Sequence, residues 1–252
     1  MKKFSLLITV LLLLACSSNQ DDAYTLNLND IPSGEEINQS GNKLIGKPFG
    51  LIHIINDKTN NDSTLIIAVH GYKSEGYEWV HFLNRFSEHY SNVYFYRYDW
   101  NNCPDKIGVE FASKIDSVLH EYDDISSIQV FGHSYGGLVI TYAASEIESK
   151  KEIRLNTLAS PLAGYPRIMD DCDPQYTDEN VLQYTNWDSN ISHHQWRTQK
   201  EQDGAFRNMS YDPQDIALYN STITELPDSM DGHRLGHNWS VSWVTDYLLN
   251  NE

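Results

Sequence analysis

The stretch Ile128-Gln129-Val130-Phe131-Gly132-His133-Ser134-Tyr135-Gly136-Gly137-Leu138-Val139-Ile140 constrains this chain more than any other. A short β-branched and apolar run meets Gly-x-Ser-x-Gly and passes directly into a helical pattern. If the chain turns sharply from strand to helix there, Ser134 takes a strained backbone conformation and its hydroxyl stands clear of the sheet. Side chains at Gly132 and Gly136 would strike the opposite arm of such a turn, so glycine at both is a steric requirement. The helix that follows aims its N-terminal N–H groups at negative charge developing beside Ser134. Any Gly-rich turn can match the motif; set between a strand and a helix, it predicts a nucleophile.

The rest of the chain supplies the matching scaffold. Thr64–Val69 is a continuous apolar run, the pattern of a strand buried on both faces, and it ends in His70-Gly71-Tyr72. Residues 75–89 space Trp79, Phe82, Leu83 and Phe86 at helical intervals, and residues 92–98 return to strand character. Pro104 opens a helix over 105–122 that carries Ile107, Phe111, Ile115, Val118 and Leu119. A helix over 135–149, a strand over 153–159 and a closing helix over 238–249 follow. Short strands are expected at 24–28, Gly50–Ile55, 180–185 and 216–223. Strands alternating with helices imply one mostly parallel sheet covered on both faces, with the ligand crevice at the carboxyl ends of its strands. His70, Ser134, Ser160 and Asp188 all fall near such ends.

The first residues stand apart. Lys2 and Lys3 precede an apolar run over 4–14 that is short for a bilayer span, which reads as a signal peptide over 1–15. Its end, Leu13-Leu14-Ala15-Cys16, resembles the bacterial lipoprotein box. That resemblance implies a lipidated Cys16, with palmitate as an expected acyl group, and a cell-envelope location. Ser17 and Ser18 in place of Asp imply the outer membrane. Residues 16–45 are then expected to be the lipidated N-terminus and tether, and 46–252 the folded domain. The formal charge is −17, and loss of Lys2 and Lys3 makes it more negative. This argues against nucleic acid or anionic headgroups as partners and leaves the lipid anchor as the membrane contact. With Cys16 acylated, Cys103 and Cys172 remain as an even pair in an oxidising compartment, which suggests one disulfide.

Gly132-His133-Ser134-Tyr135-Gly136-Gly137, His70-Gly71 after an earlier strand and a late His before the last helix together resemble the α/β-hydrolase family, over residues 50–249. The resemblance implies an α/β-hydrolase fold with a small cap or insertion, no cofactor, and a Ser, acid, His order along the chain. Among ten histidines, His237 lies where that family carries its base, with His233 four residues earlier as the rival. His133, inside the elbow, is expected to pack or hydrogen-bond below the nucleophile. Asp188 occupies the family's position for the carboxylate, with Asp170, Asp171 and Asp173 as competitors. The two oxyanion N–H donors would be Tyr135 and Tyr72; loss of one such donor typically costs about 3 kcal/mol of transition-state stabilisation. His193 and His194 fall in a polar insertion over 190–213, and no Asp, Glu or Cys spacing completes a metal site around them. That insertion and residues 160–179 are expected to roof the site.

The activity expected is hydrolysis of a small-molecule or lipid carboxylic ester through an acyl-enzyme. Thioester or amide cleavage uses the same parts. A peptidase and a non-catalytic binding lipoprotein are the alternatives on the same fold.

Overall fold

Apolar alternation at the sheet centre sets the layers. In the computed structural model, which describes residues 24–57, 62–172, 184 and 186–251, Thr64–Val69 is strand β3. Its Leu65, Ile67 and Val69 join one core cluster and its Ile66 and Ala68 the other. Successive side chains of a strand point to opposite faces, so a strand apolar at every position needs a helix layer on each.

The chain order is β1 (Tyr24–Asn27), α1 (Ile37–Ile45), β2 (Gly50–Ile55), β3, α2 (Tyr77–His89), β4 (Asn92–Arg97), α3 (Pro104–Glu121), β5 (Ser127–His133), α4 (Tyr135–Ala143), β6 (Glu152–Leu158), α5 (Pro166–Asp171), β7 (Ile191–Arg197), β8 (Ser221–Glu225), β9 (Ser229–Met230), β10 (His233–Arg234) and α6 (Trp239–Asn251). Eight strands form one sheet in the order β1-β2-β4-β3-β5-β6-β7-β8. The six strands from β4 to β8 are mutually parallel; β2 runs antiparallel to β4 and carries β1 parallel to itself. Helices α3 and α4 cover one face through Phe111, Ile115, Leu138 and Val139. The other face is covered by α1, α2 and α6 through Leu44, Trp79, Phe82, Val241 and Val244. This is the mostly parallel sheet covered on both faces that the alternation of elements predicts, and the arrangement that the resemblance to α/β-hydrolases implies.

Four expectations need correction. Residues 24–45 are not a tether: β1 adds to the sheet, and Leu26, Ile31 and Leu44 are buried in the core. A Cβ at Gly41 would lie 2.5 Å from the Glu75 carbonyl oxygen and the Tyr77 nitrogen, so α1 presses its backbone onto the loop before α2. The body therefore extends at least to Tyr24, while residues 1–23, with Cys16, lie outside the described residues. The strand expected at 216–223 begins at Ser221, and the helix expected to reach 149 ends at Ala143. The largest departure is β7. Residues read as part of a polar insertion form a strand between β6 and β8, because their polar side chains find partners across the sheet. His193 hydrogen-bonds Thr157 at 3.1 Å and Ser221 at 2.9 Å, and His194 stacks on Trp196 at 3.9 Å and bonds Thr224. The strand expected at 180–185 lies outside the described residues apart from Tyr184.

Candidate active site

Backbone sterics shape the turn at Ser134. At the end of β5, Ser134 takes φ 55° and ψ −121°, and α4 starts at Tyr135. A non-glycine residue held there costs about 1–3 kcal/mol, which the surrounding structure must offset. The Ser134 N–H donates to Leu158 O at 2.9 Å at the end of β6, and the Gly137 N–H to Ser134 O at 3.0 Å. A Cβ at Gly132 would sit 2.5 Å from Gly136 O, across the turn as expected. At Gly136 the obstacle is different: a Cβ would meet Val69 O and, at 2.5 Å, His70 O, so the glycine is required by the end of β3.

His237 lies just before α6 and lines both cavities that meet at Ser134. Its Nδ1–H donates to Asp203 Oδ2 at 2.9 Å. The ring meets Phe206 edge-on at 5.0 Å and lies 4.6 Å from His133. The His237 carbonyl accepts from Ser240 Oγ at 2.6 Å and from His133 Nε2 at 3.1 Å, so its backbone is held from two sides. Burial pulls His133 down to about 3, helped by the neighbouring His237, which keeps it a neutral donor. His233 is exposed on β10, stacked on Trp239 at 6.3 Å, and lines neither cavity.

The carboxylate beside His237 is Asp203, not Asp188. Asp188 is exposed and ion-paired with Lys150 before the amino end of β7, the end opposite the site. Asp170 and Asp171 fall in α5, and Asp173 is outside the described residues. Asp203 follows the carboxyl end of β7, fully buried. It accepts from His237 and from Thr198 Oγ1 (2.6 Å) on Oδ2, and from the Ala205 N–H (2.8 Å) on Oδ1. Burial alone would raise its pKa; the bonds from His237, Thr198 and Ala205 outweigh it and hold the carboxyl below the usual range. The sequence reading set Asp188 beside His237 because it missed the strand that brings Asp203 there. The available signal was Ile191 and Trp196 flanking a polar run, followed by an Asp after the strand end.

Tyr72 and Tyr135 flank Ser134 on the wall of one cavity, their rings 6.5 Å apart. The Tyr135 hydroxyl donates to Asn102 O at 2.7 Å, so its side chain ties the elbow to the loop after β4. His70 is buried and structural. Its Nδ1–H donates to Gly71 O at 2.9 Å, its Nε2 accepts from the Tyr98 N–H at 3.3 Å, and burial lowers it to about 4.

The two cavities differ. One, of about 190 Å³, is lined by apolar side chains, among them Tyr165, Ile168 and Phe206. The other, of about 180 Å³, is walled by Lys73, Ser74, Tyr77, Glu78 and Asn238. Both segments expected to roof the site contribute to the apolar wall, through Pro161 to Ile168 and through Ala205 and Phe206. A disulfide joins Cys103, ahead of α3, to Cys172, at the end of α5, with Cα atoms 5.5 Å apart. It ties the helix carrying Ile168 to the start of α3. Glu78, buried in the first turn of α2, is a cavity residue that the sequence did not single out.

Residues 59–175 match the family model described as "Putative serine esterase (DUF676)". A comparison with curated proteins finds no match. Among solved structures, the chain is similar to the lipase BlEst2 of Bacillus licheniformis in its mature form. That pair has 12% identity and a TM-score of 0.51 over 81% of this chain and 94% of that one. Carboxylesterase CesB of Bacillus subtilis gives a TM-score of 0.47 at 12% identity, over 85% and 95% of the two chains. The strand order, the strained elbow and the first of these likenesses agree, and the chain has the α/β-hydrolase fold.

Proposed function

We propose that this protein is a serine hydrolase of carboxylic esters, with Ser134 as nucleophile, His237 as base and Asp203 as the carboxylate that orients it. The observation that carries this reading is the 2.9 Å bond from His237 Nδ1 to a fully buried Asp203, beside a serine held at positive φ on a strand-to-helix turn. The family description and the lipase name of the similar Bacillus licheniformis chain support it.

A serine hydroxyl is a weak nucleophile at neutral pH and needs a positioned base. His237 Nε2 takes the Ser134 proton as Oγ attacks the ester carbonyl. Asp203 fixes the tautomer with Nε2 unprotonated and stabilises the imidazolium that forms, without taking the proton. The oxyanion is held by the backbone N–H groups of Tyr72 and Tyr135, the latter aided by the start of α4. His237 then protonates the leaving alcohol, and in the second half activates water to release the acid and restore Ser134. The apolar cavity takes the acyl chain.

Incubation with a fluorophosphonate probe tests the nucleophile, and p-nitrophenyl esters of graded chain length test the reaction. Labelling and turnover are expected in the wild type and in His233→Ala, and are lost in Ser134→Ala and His237→Ala. A folded wild-type protein that neither labels nor turns over any ester sinks the reading. We also propose that Cys16 is lipidated and holds this body at a bacterial envelope membrane. Incorporation of a clickable palmitate analogue, lost in Cys16→Ala, checks that; equal incorporation in both would refute it.

A further inference from the structure

The polar cavity beside Ser134 holds a buried carboxyl that the proposed chemistry does not use. Glu78 is 6% exposed. Its Oε1 accepts from Ser74 Oγ, and that oxygen accepts in turn from the Gly76 N–H at 3.1 Å. Its Oε2 is buried and has no hydrogen-bond partner among the described residues. A buried acceptor left unpaired is costly and rare in folded proteins, so one lining an active-site cavity calls for a reason. The wall is also rigid, because α1 presses Gly41 against the backbone of Glu75 and Tyr77. Asn238, next to His237, donates to the Tyr77 hydroxyl on the same wall.

We infer that Glu78 is a specificity-determining residue that selects esters whose alcohol portion carries free hydroxyl groups beside the ester oxygen, that is, polyol monoesters. This deepens the serine-esterase reading and rests on it. The apolar cavity suits an acyl chain, which leaves the polar one for the alcohol. It adjoins His237, the group that must hand a proton to the departing alcohol oxygen. A hydroxyl one or two carbons from that oxygen can pair with Glu78 Oε2, donating to it when the carboxyl is ionised and accepting from it when it is neutral. A cationic alcohol fits less well: Lys73 shares the wall, and burial raises the Glu78 pKa, which disfavours the charge that would pair with a cation.

The test compares kcat/KM for glyceryl monobutyrate, a monobutyryl hexose and propyl butyrate, which lacks the hydroxyls. At least one polyol ester is expected to exceed propyl butyrate by about tenfold or more, since a site built to bond a hydroxyl discriminates against its absence. Which polyol ester leads separates a glycerol source from a sugar source. Glu78→Leu is expected to bring the ratio close to unity, Glu78→Gln to restore much of it, and Ser74→Ala to lower it partway. If Glu78→Leu does not fold, the wild-type ratio and Ser74→Ala decide. A wild-type ratio near unity overturns the inference, as does a ratio that survives Glu78→Leu. Equal loss on both ester types would mark Glu78 as structural and also overturn it. Failure of the underlying reading looks different: no fluorophosphonate labelling and no turnover of p-nitrophenyl butyrate.

Discussion

Two strands, β5 and β7, bring their residues to the same cavity by opposite means. β5 is held by burial: Ile128, Val130 and Phe131 pack into the two apolar cores, and its end is shaped by backbone atoms that leave no room for a Cβ. β7 is held by polar side chains. His193 bridges Thr157 and Ser221, Gln195 bonds Ile216 O and Ser221, and Arg197 bonds Gln195 and Ile216 O and pairs with Asp215. At its end Thr198 and Gln214 bond each other and Thr198 bonds Asp203. An apolar strand tolerates conservative changes of packing but no added volume at the turn. A polar strand depends on each partner, because an orphaned buried group costs its full desolvation.

The comparison can be broken in order of size. Asp203→Asn should lower kcat by about 10³–10⁴, the loss expected when the base is left in the wrong tautomer; steady-state kinetics on a p-nitrophenyl ester measure it. A loss below about tenfold would remove Asp203 from the mechanism. On the apolar side, Gly136→Ala forces a Cβ onto the carbonyls of Val69 and His70. It should destabilise by about 3 kcal/mol or more, at the upper end of overpacking costs, read as a lowered urea midpoint. Retention of full stability would mean that the turn is softer than its geometry.

Acid should act on both sides. Burial depresses His70 to about 4 and His133 and His193 to about 3. Each folded-state pKa lies below its unfolded value near 6.5, so the unfolded chain binds protons first as pH falls. The stability that these neutral rings contribute is complete above about pH 6.5 and is lost as pH falls toward about 4, by up to about 1.4 kcal/mol per pH unit for each. Urea midpoints measured from pH 8 to 4 should fall in that window, and a flat profile would contradict the buried neutral state.

His193→Leu isolates the polar strand. It leaves Thr157 and Ser221 without their histidine and should cost about 1–3 kcal/mol, while also flattening the acid profile by one proton. An unchanged midpoint would show that β7 does not rely on this bridge. The smallest effect belongs to Asp188→Asn. It removes an exposed pair with Lys150, worth about 0–1 kcal/mol, and should leave kcat/KM within about twofold of wild type. A large kinetic loss there would restore Asp188 as the acid and reverse the assignment.

The difference between the two strands also explains what could be read in advance. β3, β5 and helices α2 to α4 announce themselves because apolar spacing is a local, periodic signal. Ser134 is legible because Gly132 and Gly136 are local sterics, and His237 because it precedes a helix with a clear apolar face. β7 carries no such period: His193, Gln195 and Arg197 are inward-facing and polar, satisfied by residues 20 or more positions away in several cases. Without β7 the chain offered Asp188 as the residue after a strand. With it, two acidic residues follow the strand end, exposed Glu201 and buried Asp203, and the buried one meets His237. The N-terminal segment misled for a related reason. Leu26, Ile31 and Leu44 are too sparse to signal a core, and Gly41 reveals its purpose only against Glu75 and Tyr77.

By itself the sequence determined the layered α/β class, the Gly-x-Ser-x-Gly turn at Ser134 and the place of His237 ahead of the closing helix, since period-2 and period-3.6 burial and glycine sterics are written in neighbouring residues. Only the tertiary structure decided which carboxylate meets His237 and that Glu78 lines a polar cavity opposite an apolar one. Those outcomes depend on side chains distant in the chain reaching one another across the sheet, and hydrogen-bond partnership of that kind leaves no pattern along the chain.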